Sequence, residues 1–183
     1  MRKPKPYAPT KTIPTSQLPL LQDRLSLNRY LCGLLGFEDF KSLHEYFRLG
    51  GYRDREGWAD DGHSYFFRAL ENLPKSKIPP DQLAAYDLRI KAYLEQLNRF
   101  RTPPIQLKYF QYLAVLFTEI YLDRLFSDRA SLLSKLNQFV GQENGKLSPA
   151  TPRYQPFTEA DLSKLAFWMA TGSGKTLVMH INL

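Results

Sequence analysis

Apolar residues recur at helical intervals along most of this chain, and the interval changes only near its C-terminal end. Leu27, Leu31, Leu34 and Leu35 fall on one face of a helix that Gly36 is placed to end. Phe40, Leu43, His44 and Phe47 form a second stripe, stopped by Gly50 and Gly51. The polar string Tyr52-Arg53-Asp54-Arg55-Glu56-Gly57-Trp58-Ala59-Asp60-Asp61-Gly62-His63 then interrupts a region, about 20–73, that reads as helical but broken. Pro79-Pro80-Asp81 opens a clearer helix, because proline is tolerated in a first turn and an acid complements the helix dipole. Leu83, Tyr86, Ile90, Tyr93, Leu94 and Leu97 mark its inner face, and Pro103 and Pro104 bound it. The next segment, about 105–126, is apolar nearly all round, which predicts burial between other elements. Leu132, Leu133, Leu136, Phe139 and Val140 give a shorter amphipathic helix, and glycine and proline mark 141–160 as a linker.

Beyond the linker the texture changes. Leu165-Ala166-Phe167-Trp168-Met169-Ala170 is a short continuous apolar run, the pattern of a buried parallel strand. Thr171-Gly172-Ser173-Gly174-Lys175-Thr176 follows it, and the residues from Lys175 onward read as the first turns of a helix. Strand, glycine loop and helix form the context of a phosphate-binding loop. Glycines let backbone amides approach phosphate oxygens, and the helix directs its N–H groups at the same anion. Lys175 is then expected to reach the β- and γ-phosphates of ATP and the Thr176 hydroxyl to coordinate Mg²⁺, with Thr171, Gly172, Ser173 and Gly174 lining the phosphates. The general pattern G-x-x-x-x-G-K-S/T is met except at its first position, held by Met169. A bare glycine turn would not call for the Lys175-Thr176 pair.

Composition narrows the class. The chain has 183 residues, a net charge of +7 and a single cysteine, Cys32. The charge suits a polyanion such as nucleic acid, although many basic proteins bind none. One cysteine in an apolar run offers neither a disulfide framework nor a thiolate cluster, and a reducing cytoplasm is the expected location. No apolar stretch is long enough to span a bilayer, so no membrane partner is expected. Residues 1–20 carry four cations and five prolines and read as a basic, proline-rich tail. His44, His63, Asp60 and Asp61 match no metal-ligand spacing.

The string Met169-Ala170-Thr171-Gly172-Ser173-Gly174-Lys175-Thr176 resembles motif I of superfamily 2 helicases. It is most similar to the DEAD/DEAH-box branch that includes the restriction (Res) subunit of type III restriction enzymes. In that branch motif I often begins with alanine. The likeness covers about 162–183, a small part of the chain. A weaker one lies upstream, where Leu107-Lys108-Tyr109-Phe110-Gln111-Tyr112-Leu113-Ala114 is similar to the Leu-Arg-x-Tyr-Gln-x-x-Ala segment that precedes motif I in these helicases. The resemblance makes Gln111 a candidate adenine contact, a role suited to a side-chain amide that both donates and accepts. Arg153-Tyr154-Gln155 is a rival nearer the loop.

The resemblance implies a mainly α N-terminal region (21–140) and a linker (141–160). After them comes the start of an α/β RecA-like P-loop NTPase domain (161–183), cut short seven residues after Thr176. It implies an N-terminal fragment of an ATP-dependent DNA helicase or translocase. DNA is then the partner of the full-length protein, beside a subunit of a restriction–modification system. The family's second acidic motif and its later arginines follow motif I, so the fragment alone is expected to be inactive. Asp123 and Asp128 precede the loop and stand in the wrong order for those roles. A lone strand and a stub of helix cannot cover both faces of a parallel sheet, so residues after about 157 are expected to be poorly ordered in isolation. The alternative is a free-standing helical interaction module with a remnant, non-hydrolytic loop, and a third reading keeps the loop in an ATPase that is not a helicase.

Overall fold

The computed structural model describes residues 21–181. The basic tail expected at 1–20 lies outside the described residues. A single turn, α1 (Leu21–Arg24), leads into α2 (Ser26–Leu34) and α3 (Phe40–Leu49). Gly36 adopts φ +90° in the turn between α2 and α3, and a Cβ there would meet Lys75 within 2.7 Å. Asp39 caps α3: its carboxylate accepts from the Ser42 N–H at 2.7 Å, and the Ser42 hydroxyl accepts from the Asp39 N–H. A short α4 (Tyr65–Leu70) follows the polar loop, capped by Ser64, which accepts from the Phe67 N–H at 2.9 Å.

Two long helices, α5 (Pro80–Asn98) and α6 (Tyr109–Ser127), run antiparallel. Their side-chain bonds descend one helix as they climb the other. Gln82 and Tyr86 donate to Asp123 at 2.9 and 2.8 Å, and Arg89 and Tyr93 donate to Glu119 at 2.6 and 3.0 Å. Burial and the neighbouring Asp123 carboxylate push the Tyr86 hydroxyl pKa up. Helix α6 also touches α2, α7 (Arg129–Lys146) and α8 (Lys175–Ile181). This central position is why it is apolar all round: Tyr112, Leu113, Val115, Leu116, Phe117, Ile120 and Tyr121 are all buried. Thr118 is buried among them and satisfies its hydroxyl on the Ala114 carbonyl, one turn back.

The segment read as a linker is partly helix, because α7 continues through Gly141 and Gly145 to Lys146. Beyond Lys146 the chain turns back and is strapped to α7 by two asparagines. The Asn144 side chain donates to the Tyr154 carbonyl at 2.9 Å and accepts from the Tyr154 N–H at 2.7 Å. The Asn137 side chain pairs with Phe157 in the same way, at 3.0 and 2.7 Å. Each amide thus replaces the neighbouring strand that an extended residue would otherwise need. Seven helical residues rise about 10.5 Å and three extended ones about 10 Å, so the two amides match the two backbone positions. Replacing both Asn137 and Asn144 by Ala is expected to free 150–160 at a cost of about 1–2 kcal/mol per clamp. Hydrogen exchange at the Tyr154 and Phe157 amides, protected in the native chain and open in the variant, would check this.

The C-terminal region corrects the α/β expectation. Among the described residues there is no β-strand, and the regular elements are all helical. The apolar run 165–170 has no regular structure and forms no strand pairing among the described residues, and Trp168 is 78% exposed. A parallel strand needs hydrogen-bonding neighbours and cover on both faces, and the helices here present neither. The buried parallel strand expected from the sequence pattern does not form. The segment after 157 nonetheless has partners. Leu162, in a 3₁₀ turn (Asp161–Ser163), is buried, and its carbonyl accepts from the Tyr121 hydroxyl at 2.7 Å. Helix α8 buries Val178 and Ile181 and packs on α5 and α6.

Candidate functional site

The glycine loop is anchored at both ends by helical structure. Upstream, the Thr158 hydroxyl and N–H donate to the Asp161 carboxylate at 2.6 and 2.9 Å, which holds the Asp161 pKa below the usual carboxylate range. Downstream, α8 starts directly at Lys175. Between them the Ser173 N–H and hydroxyl both donate to the Ala170 carbonyl, at 3.2 and 2.6 Å, which closes a tight turn. Gly172 and Gly174 take φ +78° and +86°, values that favour glycine. The N–H groups of Gly174, Lys175, Thr176 and Leu177 find no acceptor among the described residues. Lys175 folds back over the turn and donates to the Met169 carbonyl at 2.7 Å. Thr171, Lys175 and Thr176 are exposed.

These features suit phosphate. Free amides and a lysine converge on one turn, and the lysine is tethered by a single neutral acceptor that an anion can replace. Mg²⁺ would find the Thr176 hydroxyl exposed and would take its remaining ligands from phosphate and water. Among the described residues no group of three or more His, Cys, Asp or Glu side chains is placed to hold a metal.

Gln111 lies against this loop, although it is 62 residues upstream of Ser173. Its Nε2 donates to the Ser173 carbonyl at 2.8 Å. Its Oε1 accepts from the Lys108 N–H at 2.9 Å, satisfying a free amide at the start of α6. The side chain is 8% exposed with both polar ends engaged, so in this arrangement it braces the loop rather than facing an open base site. Gly174 touches it so closely that a Cβ there would lie 2.4 Å from Nε2. The rival string is placed elsewhere: Tyr154 is buried on the strap, under the Arg24 guanidinium. Asp123 belongs to the bonding between α5 and α6, and Asp128 caps α7 through the Ser131 N–H at 2.9 Å.

A second polar cluster was not singled out from the sequence. Asp87 is fully buried on α5 and accepts four hydrogen bonds. The Ser64 hydroxyl and the Tyr112 hydroxyl reach Oδ1 at 2.5 and 2.7 Å, and the Ser64 N–H and His63 Nδ1 reach Oδ2 at 3.0 Å each. Burial beside that carboxylate pushes the Tyr112 pKa well up. Ser, His and Asp meet here without forming a nucleophilic relay. The serine proton goes to the aspartate instead of the histidine, and the serine oxygen is occupied by the Phe67 N–H. The cluster joins α4, α5 and α6. Its one sequence signal was an acid inside the apolar stripe of Leu83, Tyr86 and Ile90. The histidines considered for a metal are engaged separately: His44 Nδ1 bonds the Tyr109 hydroxyl at 2.6 Å, and Asp61 pairs with Arg68. Cys32 is buried, and burial pushes its thiol pKa up to about 12.

No protein-family model, curated protein or solved structure matches this chain. Among the described residues no helix is long and apolar enough to cross a membrane.

Proposed function

We propose that this chain supplies the ATP phosphate-binding loop of a DNA helicase or translocase similar to the DEAD/DEAH-box and type III restriction Res proteins. The observation that carries the reading is the turn at 170–175. Two left-handed glycines and free amides sit beside Lys175, and the motif's order is kept. The bracing of that turn by Gln111 supports it further, since the two segments resembling helicase motifs are in contact. Thr171, Gly172, Ser173 and Gly174 would line the phosphates, Lys175 would neutralise them, and Thr176 would hold Mg²⁺. These residues bind and orient; none of them is an acid that activates water, so the role proposed for them is binding, not hydrolysis. DNA as the polymer and a cytoplasmic setting accord with the +7 charge and the single, buried thiol.

A titration with a fluorescent ATP analogue and Mg²⁺ tests the reading. Saturable binding, competed by ADP, is expected, with a loss of about tenfold or more in Lys175→Ala. Equal binding by both proteins would sink it. That result would favour the helical interaction module, a reading supported by the way α8 packs into the all-α body. DNA-stimulated hydrolysis by the gene product purified from its own cell would separate a translocase from another kind of ATPase.

A further inference from the structure

We propose that a groove between α5 and the chain leading into α6 binds single-stranded nucleic acid. This deepens the translocase reading but rests on different residues, so the two can fail separately. The groove has a volume of about 350 Å³, and its walls include Trp58, Lys91, Asn98, Arg99, Ile105 and Gln106. The Lys91 ammonium lies 5.5 Å from the Trp58 ring centroid and donates to the Gly62 carbonyl at 3.2 Å, which holds cation and indole together. The Asn98 side chain donates to the Ile105 carbonyl at 2.8 Å and accepts from its N–H at 2.7 Å, which fixes the far wall. Glu95 is the one acid among the lining residues, which also include the cations Lys91 and Arg99.

The chain that continues from Arg99, itself in the groove wall, carries the stronger argument. Arg99, Phe100 and Arg101 are consecutive and all exposed, and the Phe100 ring is 93% exposed. Neither arginine forms an ion pair among the described residues. Arg29, Arg48, Arg53, Arg68, Arg89 and Arg129 each face a carboxylate, whereas Arg24, Arg55, Arg124 and Arg153 have no ion pair among the described residues and lie apart from the groove lining. A bare phenyl ring between two unpaired guanidinium groups, beside a groove holding a tryptophan and a lysine, offers stacking faces and cations in alternation. That order matches the bases and phosphates of a single strand. A duplex keeps its bases stacked on one another and would leave both rings unused. The exposed Gln106 side chain adds a group that can donate to and accept from a base edge.

The test uses the whole chain, a fluorescein-labelled oligothymidine and fluorescence anisotropy. Phe100→Ala is expected to weaken binding about tenfold. It should leave the melting temperature unchanged, because the ring touches little. The double variant Arg99→Gln with Arg101→Gln should lower the slope of log affinity against log salt by about 1.4. Lys135→Gln, an exposed cation on α7, should change affinity far less than Phe100→Ala. Photocrosslinking with 5-iodouracil oligonucleotides should mark Trp58 or Phe100. Crosslinks confined to the basic residues 1–20, an unchanged affinity in Phe100→Ala, or equal losses in Lys135→Gln would each overturn the proposal. So would polyglutamate competing as well as oligothymidine, which would assign the groove to an acidic peptide.

Discussion

Replacing Asp87 by Ala is expected to destabilise the protein by about 3–5 kcal/mol, a large part of the roughly 5–15 kcal/mol that holds a domain folded. The carboxylate is the common acceptor for Ser64, Tyr112 and His63, and it is fully buried. Its removal leaves the Ser64 hydroxyl and N–H and the Tyr112 hydroxyl unpaired in an apolar surround, and each such group costs about 1–3 kcal/mol. It also releases Ser64, whose oxygen caps α4 through the Phe67 N–H. Asp87→Asn should cost less, since its carbonyl can still accept from the two hydroxyls. It should remain destabilising, because its NH₂ group would face the Ser64 N–H. Urea unfolding followed by circular dichroism measures both. A shift of under about 1 kcal/mol for the alanine variant would mean that the cluster is not closed in solution.

Gly174→Ala should disable the loop while sparing the helical body. The backbone there has φ +86°, and the new methyl would lie 2.4 Å from Gln111 Nε2. The left-handed conformation costs a residue with a Cβ about 1–2 kcal/mol, and the contact requires Gln111 to move and give up its bond to Ser173. The two causes are separable. In a Gly174→Ala, Gln111→Ala double variant the steric part disappears and the conformational part remains. Nucleotide affinity and hydrogen exchange over 170–181 should therefore recover in part, not in full. Full recovery would place the whole effect in the contact. No recovery would place it all in the backbone.

The helices were legible because their signals are local. Pro79, Pro80 and Asp81 announce α5 where it begins, and the stripe from Phe40 to Phe47 ends at Gly50 and Gly51 as α3 does. The start of α6 was read four residues early. Ile105 is apolar and continues the pattern, but its backbone is held by Asn98, and the helix begins only at Tyr109. The short α4 was lost in the polar loop before it, since six residues carry little periodicity. The run 165–170 misled for another reason. Hydrophobicity reports what a segment could bury, not its hydrogen-bonding neighbours, and here Phe167 and Met169 pack on the helical core with no strand alongside among the described residues. At the site, the order of the loop residues was visible in the string itself. The approach of Gln111 was suggested only by likeness, because Ser173 lies 62 positions further on and nothing between them encodes that contact locally. Asp87 shows the opposite case: its sequence position was informative, but its three partners come from other segments.

The two asparagines of α7 leave a constraint on length that neighbouring stretches do not share. Because each amide grips one backbone unit, adding or deleting a residue between Tyr154 and Phe157 would carry one of them out of reach, whatever its side chain. The loop from the end of α7 to Arg153 is held by other bonds, from Arg153 to the Asn144 and Leu147 carbonyls and from Arg24 to the Pro152 carbonyl, and long side chains can follow a change in loop size. Variants of this chain should therefore differ in length before Tyr154 and stay constant across the next three steps. Along that short interval the grip falls on backbone groups, so it constrains the number of residues and leaves their side chains open.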